Sequence, residues 1–198
     1  MKLQFRSNLL AQIKQCLKTT DINEHLVLLG NNFMLYGSHV QTSKKLLDYC
    51  SYNWEKVYVV PGTIELLGDG LQPISRNSDI LSEFIAKSPG KNIQFLNNSE
   101  VHDGNHMLVG STFWCGSGVP PIHSIALGRA ATIKQLDDWA KDDAYYIGSM
   151  IKQASCQSKH LTIATYFSHN DLSAAAKQQL MNGAGNTDAI NGRWICGY

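Results

Sequence analysis

The 198-residue sequence is long enough for one domain that buries most of its apolar surface without a disulfide or a structural metal. Hydrophobic residues make up 43% of the chain, which excludes a disordered protein. The net charge of +1 excludes both an acidic tail protein and a protein that binds nucleic acid through bulk positive charge. We therefore expect a single domain over residues 1–198.

Apolar runs alternate with amphipathic segments along the first half of the chain. A short apolar run that ends at Gly or Pro is typical of a buried strand, whereas apolar residues three and four apart are typical of a helix. In chain order these patterns predict a strand over Lys2–Arg6, a helix over Asn8–Leu17, strands over Leu26–Leu29 and Val57–Val60 separated by a helix over Ser43–Tyr52, a helix over Asp79–Lys87 with Ser78 as N-cap, and a strand over Ile93–Leu96.

The second half of the chain begins with a hairpin signal. Asp103-Gly104 lies between Val101 and the apolar run Met107–Val109, and Asp-Gly is a frequent two-residue hairpin turn. The later patterns predict a helix over Ala131–Gln157, a strand over Leu161–Thr165, a helix over Ser173–Met181, a loop over Asn182–Asn191 and a strand over Trp194–Cys196. Strands that alternate with helices predict an α/β protein, and the hairpin adds an antiparallel pair.

The cysteines and the absence of long apolar stretches indicate the compartment. The five cysteines are Cys16, Cys50, Cys115, Cys156 and Cys196. Their odd number and the lack of any C-x-x-C spacing favour buried or idle thiols in a reducing compartment over disulfides or zinc ligands. The sequence has no apolar run of signal-peptide or membrane-span length. We expect a soluble, intracellular, cytoplasmic protein that does not bind membranes.

Residues that follow the predicted strands resemble those of a known enzyme family. In α/β proteins, ligand sites collect where strands end. The five strand ends are Ser7–Leu10, Gly30–Asn32, Pro61–Glu65, Thr165–Phe167 and Gly197–Tyr198. Their order, with Gly110–Trp114 in place of a G-S-T-L-W segment, is similar to that of the calcineurin-like metallophosphoesterases, which read D-x-H, G-D, G-N-H-E, T-H-H and G-H-x-H. The resemblance implies a four-layer α-β-β-α sandwich of mixed sheets that ends at Tyr198, before the family's closing strand.

The positions that match the family's metal ligands and catalytic histidine have lost that chemistry. They are Asn8, Leu10, Asn31, Thr63, Ile64, Tyr166 and Tyr198. None of them carries a carboxylate or an imidazole, and two bound cations need both kinds of ligand. Only Glu65 keeps its identity, and in the family it is not a metal ligand. The resemblance therefore implies a vestigial site with no catalytic residue, no metal and no cofactor.

Histidines elsewhere in the chain are candidates for a different site. His102 and His106 flank the Asp103-Gly104-Asn105 turn and could face each other across the hairpin, either as a metal-binding pair or as two solvated side chains. His169 and Asp171 follow the strand Leu161–Thr165, where they could form an acid–base pair or a polar loop. Solvated histidines and a polar loop are the preferred interpretations.

Two further groups of residues are interpreted as structural. The densest acidic cluster contains Asp137, Asp138, Asp142 and Asp143, which we expect on the solvated face of a helix. The tryptophans are Trp54, Trp114, Trp139 and Trp194, which we expect to pack in the core or against a sheet.

The resemblance makes a catalytically inactive metallophosphoesterase-like protein the leading hypothesis. Such a pseudoenzyme would act as a scaffold or interaction subunit with protein partners in a larger assembly, like the degenerate members found in retromer and in replicative DNA polymerases. One alternative is a phosphoesterase whose rebuilt metal site holds manganese or another divalent metal through His102, His106 or His169. The other is a metal-free nucleotide-binding protein that uses Asn8, Asn31, Thr63 and Tyr166 as neutral hydrogen-bonding groups.

Overall fold

A computed structural model describes residues 25–68, 73–114, 132–185 and 192–197. These ranges form an α/β protein whose elements, in chain order, are β1 (His25–Leu29), α1 (Val40–Asn53), β2 (Lys56–Val60), α2 (Thr63–Leu67), α3 (Ile74–Ala86), β3 (Ile93–Phe95), β4 (Ser99–Asp103), β5 (His106–Ser111), α4 (Ile133–Cys156), β6 (His160–Thr165), α5 (Ala174–Ala184) and β7 (Gly192–Cys196). The predicted strand Lys2–Arg6 and the predicted helix Asn8–Leu17 lie outside the described residues.

The strands form two sheets. The first has the order β1-β2-β3 and is parallel throughout its described strands, since helices α1 and α3 carry the chain back between them. The second has the order β4-β5-β6-β7, in which only β4 runs antiparallel to its neighbour. The expectation of mixed sheets therefore holds for the second sheet and not for the described part of the first.

The antiparallel pair is the predicted hairpin. Asp103 pairs with His106, so the turn consists of Gly104 and Asn105 alone. Gly104 has a φ of +55°, a left-handed conformation that glycine adopts without steric cost. The Asp-Gly signal thus predicts the hairpin correctly but places its two-residue turn one position too early, because Asp103 is still paired in β4. This short turn is the reason that the second sheet is mixed.

The two sheets face each other across an apolar layer. The cluster between them contains Tyr58 and Val60 of the first sheet and Ala164 of the second, with partly buried Val27, Leu29, Val101, Leu108 and Ile195 packed against it. Side chains alternate along a strand, so the intervening residues point away from this layer. Val57 and Val59 lie in the cluster beneath α1 and α3, and Leu161 and Ile163 lie in the cluster beneath α4 and α5.

Helix α3 begins earlier than its sequence pattern indicates. The prediction that it starts after Ser78 is wrong, because the helix starts at Ile74 with Pro73 in the N-cap position. Its first turn is mostly polar. Asn77 is nevertheless buried, and its side-chain amide donates a 2.9 Å hydrogen bond to the Leu66 carbonyl of α2. This hydrogen bond satisfies the buried amide, so a polar residue can occupy the buried face of the helix. The pattern of apolar residues therefore does not extend to the first turn of α3.

Several other expectations can be compared with the described residues. Trp54 and Trp114 are buried, and Trp139 and Trp194 pack against the core, as predicted. Cys50 is buried, whereas Cys156 and Cys196 are exposed, and all three are free thiols. No helix within these ranges combines the length and apolar character that crossing a membrane requires.

Candidate functional site

The carboxyl ends of β1, β2 and β6 converge at one edge of the molecule. Asn31 follows β1, Thr63 and Ile64 begin α2 shortly after β2, and Tyr166 follows β6. These four residues are the predicted site positions that the structure describes, and hydrogen bonds bring them together. The other three predicted positions lie outside the described residues, and they are Asn8, Leu10 and Tyr198.

Asn31 is the centre of this site. Its Oδ1 accepts hydrogen bonds from the Ile64 backbone N–H at 2.9 Å and from the Thr63 hydroxyl at 3.3 Å. Its Nδ2 donates to the Tyr166 hydroxyl at 2.5 Å. An asparagine amide offers an acceptor and a donor together, and both are used here. The side chain therefore links the loops that follow three strands without carrying a charge.

Two glycines let these loops approach closely. Gly30 has a φ of +54°, and a Cβ at this position would lie 2.1 Å from the Tyr166 ring. A Cβ on Gly62 would lie 2.7 Å from the Gly30 Cα and 2.8 Å from the Asn31 backbone nitrogen. Backbone therefore contacts backbone beneath Asn31, and the aromatic ring lies directly on Gly30. Any larger side chain at either glycine would push the site apart.

Glu65 links two of the same loops by accepting hydrogen bonds from their backbone N–H groups. Its Oε2 accepts from the backbone N–H groups of Asn31 (2.8 Å) and Gly62 (3.0 Å). Its Oε1 accepts from those of Asn32 (2.5 Å) and Phe33 (2.9 Å). Burial raises the pKa of Glu65, while these N–H donors act in the opposite direction by stabilising the carboxylate. Because both oxygens bind backbone, Glu65 is a structural residue that fixes the loop after β1 to the start of α2.

The side chains at the mapped positions do not supply the donors of a two-metal centre. Such a centre needs anionic oxygen between two cations, and an amide, a hydroxyl, a phenol and an aliphatic side chain stand here instead. Across residues 25–68, 73–114, 132–185 and 192–197, no three His, Cys, Asp or Glu side chains form a group that could hold a metal ion. What the described arrangement offers chemically is a neutral set of hydrogen-bonding groups.

The two histidines at the hairpin do not face each other. His102 pairs with Met107 across the hairpin, and His106 pairs with Asp103, so the two imidazoles point to opposite faces of the sheet. His102 Nδ1 lies 2.7 Å from Lys159 Nζ, while the His106 ring packs against another histidine. The alternative of a facing metal-binding pair is therefore wrong, because neighbouring residues of a strand point to opposite faces. Both histidines are exposed, in agreement with the preferred interpretation of solvated side chains.

His169 lies far from the hairpin histidines in the sheet. It sits in a short 3-10 helix with Asp171 just after β6, and its ring is 5.1 Å from that of Trp194. His106 is the first residue of β5, and His169 follows the last residue of the parallel neighbour β6. The two histidines therefore lie at opposite ends of the strands of this sheet. A rebuilt metal site that combines these histidines is not formed.

Asp143 is a site residue that the sequence interpretation misplaced. It is 4% exposed, whereas we expected it on a solvated helix face. Its oxygens accept from Asn98 Nδ2 at 2.6 Å and from the Trp114 backbone N–H at 3.1 Å. Burial raises the pKa of Asp143 to about 6, although Asn98, Trp114 and other hydrogen-bond donors oppose the shift. The signal that could have found it is spacing, because Ala140 and Ile147 lie on the same buried face of α4.

Asp143 borders a cavity of about 420 Å³ between α3 and α4. The aromatic part of its wall comes from Trp114 and Trp139, whose ring centroids are 5.8 Å apart. Since the Asp143 carboxylate is occupied by protein donors, it braces this wall by tying α4 to the loops after β3 and β5. These contacts support a role for Asp143 in positioning the cavity wall.

Comparisons with protein-family models, with curated proteins and with solved structures find no significant match. The chemistry of the site therefore follows from its own side chains. These are an asparagine that connects three loops, a buried glutamate that is saturated by backbone donors, and a tyrosine that packs on glycine.

Proposed function

We propose that this protein is a non-catalytic relative of the calcineurin-like metallophosphoesterases that works as a scaffold or interaction subunit. The proposal rests on the resemblance of its strand-end motifs and on the chemistry of the residues that stand in those motifs. The single observation that carries it is the Asn31 side chain, whose donor and acceptor are both used within the protein.

The arrangement of layers supports the fold part of the proposal. Helices α1 and α3 pack on one side of the first sheet, the two sheets pack on each other, and α4 and α5 pack on the far side of the second sheet. This order is compatible with the four-layer α-β-β-α sandwich that the resemblance implies. The strand-end motifs around Asn31, Thr63 and Tyr166 also meet at one edge, as a common site requires.

The hydrogen bonds support the loss of catalysis. An aspartate in place of Asn31 would bring a second negative charge beside the buried Glu65 carboxylate unless cations were bound. Asparagine removes that repulsion and keeps the geometry. Tyr166 is 3% exposed, and its hydroxyl contacts the Asn31 amide where a histidine ligand would stand in the family. These contacts satisfy the Asn31 amide within the protein, which supports the proposal that the site has lost its catalytic function.

The surface supports an interaction role. Charged residues are only 17% of the chain, below the value of about 25% for typical proteins. The large apolar side chains that lie exposed on the described helices are Tyr52 (74%), Tyr145 (54%) and Met181 (49%). Tyrosine and methionine are enriched at protein interfaces, so these positions are the first to substitute when a partner is sought.

Metal content and phosphodiesterase activity test the catalytic part of the proposal. Purified protein incubated with excess Mn²⁺ is expected to retain less than stoichiometric metal and to hydrolyse bis(p-nitrophenyl) phosphate no faster than a buffer control. Asn31→Ala is the matched variant, because residual turnover from a contaminating phosphatase would persist in it. Bound metal together with turnover that Asn31→Ala abolishes would contradict the proposal and favour a metal-dependent phosphoesterase.

Affinity capture from the source cells tests the interaction part. We expect a specific partner to be retained by the wild-type chain and reduced by Tyr52→Ser or by Tyr145→Ser. Ser155→Ala, which alters an exposed side chain of α4, serves as the control. A chain that stays monomeric and retains no partner would contradict a scaffold role.

A further inference from the structure

Ionisable side chains surround the open end of the space between the two sheets, opposite the Asn31 site. At this end, most strands have a charged or ionisable residue at the position that points inward. These residues are His25 of β1, Lys56 of β2, Asp103 of β4, His106 of β5, His160 of β6 and Arg193 of β7. Their orientation follows from alternation, because Val27, Tyr58, Val101 and Leu108, two positions along their strands, lie in the layer between the sheets.

A cavity of about 600 Å³ lies behind this rim. Its inner wall is apolar and comes from both sheets, with Val27 on one side and Val101 and Leu108 on the other. The volume falls within the range of about 300–1,000 Å³ that holds small-molecule ligands in proteins. The cavity therefore combines an apolar interior with a polar and mostly basic entrance.

The charges at the entrance leave one cation in excess. Lys56 Nζ lies 2.8 Å from Asp103 Oδ2, and His25 Nε2 lies 3.8 Å from the same oxygen. Lys56 and Asp103 thus neutralise each other, and this lysine lowers the pKa of Asp103. Arg193 lines the cavity and has no hydrogen bond or ion pair within the described part of the chain. Its guanidinium is free to bind an anion.

A second unused donor lies inside the cavity. Tyr58 is 2% exposed and lines the wall, yet its hydroxyl has no hydrogen-bond partner among the described residues. The hydroxyl itself is not sealed from solvent, so it is open to an acceptor that enters the cavity. Burial raises the pKa of Tyr58, so the hydroxyl keeps its proton at neutral pH and can donate it to an acceptor.

We propose that this cavity binds a small organic carboxylate with an apolar body. The carboxylate pairs with Arg193, whose planar guanidinium matches a carboxylate in a bidentate geometry. The apolar body lies among Val27, Val101 and Leu108, and Tyr58 supplies a further donor. A monoanion fits better than a multiply charged anion, because a single arginine remains unpaired. The inference is independent of the proposed function, since it concerns the opposite edge of the sheets.

Calorimetric titration with hexanoate tests the proposal. Two control probes each share one of the two features of hexanoate, either the carboxylate or the apolar body. Acetate has the carboxylate without the apolar body, and 1-hexanol has an apolar body without the charge. We expect saturable 1:1 binding of hexanoate and at least tenfold weaker binding of both other probes. Equal affinity for hexanoate and 1-hexanol, equal affinity for hexanoate and acetate, or no saturable binding of hexanoate would each overturn the proposal.

Substitutions locate the binding to this cavity. Arg193→Gln, at an exposed position that leaves the core intact, is expected to weaken hexanoate binding at least tenfold. Arg76→Gln on α3 is the matched control, because its guanidinium is half exposed and lies 3.7 Å from Glu83, away from this cavity. Val101→Phe is expected to abolish binding by filling the interior. Unchanged affinity in Arg193→Gln would overturn the assignment.

Discussion

One asparagine side chain connects the loops that follow three different strands. Parallel strands end at a common edge, so the meeting of Asn31, Thr63 and Tyr166 could be predicted from the order of their strands. Their hydrogen bonds could not be predicted, because these depend on the left-handed backbone at Asn31 (φ +56°) and on the close contact between Gly30 and Gly62. The residue types at these positions indicate that their side chains are uncharged, whereas the loop geometry decides which of these side chains form hydrogen bonds with each other.

The buried carboxyl of Asp143 is expected to make stability depend on pH. Its folded-state pKa of about 6 lies above the ordinary aspartate value of 3.8, so the folded protein holds this proton to higher pH than the unfolded chain does. Its contribution to stability is therefore greatest below about pH 4 and is lost as pH rises through 6. A shift of about two pKa units corresponds to about 3 kcal/mol.

Urea unfolding of wild-type protein and Asp143→Asn between pH 4 and pH 7 measures this effect. Taking the difference between the two proteins at each pH cancels the other titrating groups. We expect the free energy of unfolding of the wild type, relative to the variant, to fall by about 2 kcal/mol across the range, because part of the total effect is already lost at pH 4. Asp138→Asn, an exposed change on the same helix, is the control. A difference for Asp143→Asn that stays constant with pH would contradict the burial of this carboxyl.

Helices α4 and α5 cross at Gly148 of α4 and Gly183 of α5. A Cβ on Gly148 would lie 2.3 Å from the Leu180 carbonyl oxygen and 2.8 Å from the Ala184 nitrogen. Alanine favours an isolated helix by about 1 kcal/mol over glycine, so propensity alone predicts that Gly148→Ala stabilises the protein. The backbone contact predicts the opposite, because the two helices would have to separate.

We expect Gly148→Ala to lower the free energy of unfolding by about 1–3 kcal/mol. Chemical denaturation followed by circular dichroism measures the change. Ser155→Ala, at an exposed position on the same helix, is expected to shift stability by less than about 0.5 kcal/mol. An increase in stability for Gly148→Ala would show that the helices do not touch at this point.

Helix ends could be predicted where a side chain caps them and were missed where none does. Ser173 accepts a hydrogen bond from the Ala176 N–H, and the predicted start of α5 is correct to one residue. Thr132 and Gln135 form a capping box at the start of α4. Helix α3 has Pro73 in place of a capping side chain, and its first turn is polar, so apolar spacing placed its start too late.

At the scale of the whole molecule, Gly110 allows the two sheets to pack closely at one point. A Cβ at this position of β5 would lie 2.3 Å from Leu96 Cβ and 3.1 Å from Val60 Cγ2, which belongs to the other sheet. Gly110→Ala must therefore push the sheets apart or displace Leu96. We expect a loss of about 1–3 kcal/mol in the free energy of unfolding.

A double-mutant cycle with Leu96→Gly, which removes the Cβ that the new methyl group would meet, distinguishes this clash from a general weakening of the strand. Removing the Leu96 side chain leaves less to displace, so the double variant is expected to be more stable than the sum of the single effects by at least about 0.5 kcal/mol. Tryptophan fluorescence and far-ultraviolet circular dichroism should give coincident transitions in every variant, since both sheets share this layer. Additive effects would show that the clash with Leu96 is absent.

The basic entrance opposite the Asn31 site shows what sequence patterns conceal at this scale. Its members lie at the starts of strands far apart in the chain, such as His25, His106 and Arg193. Each is unremarkable beside its neighbours in sequence. Only the pairing of β1 with β2 and of β5, β6 and β7 in register aligns them at one end of the sandwich. Strand pairing is a long-range property, and local periodicity carries little information about it.

The order of strands along the chain has a consequence for biosynthesis. Every described strand of the first sheet lies between residues 25 and 95, and every described strand of the second lies between residues 99 and 196. A ribosome adds about 5–20 residues per second, so the second sheet is completed roughly 5–20 s after the first. During that interval the inner face of the newly synthesised first sheet, with Val27, Leu29 and Val60, lacks the strands β6 and β7 that contribute to its cover in the folded protein. Cellular chaperones that bind apolar strands would encounter this protein at that stage.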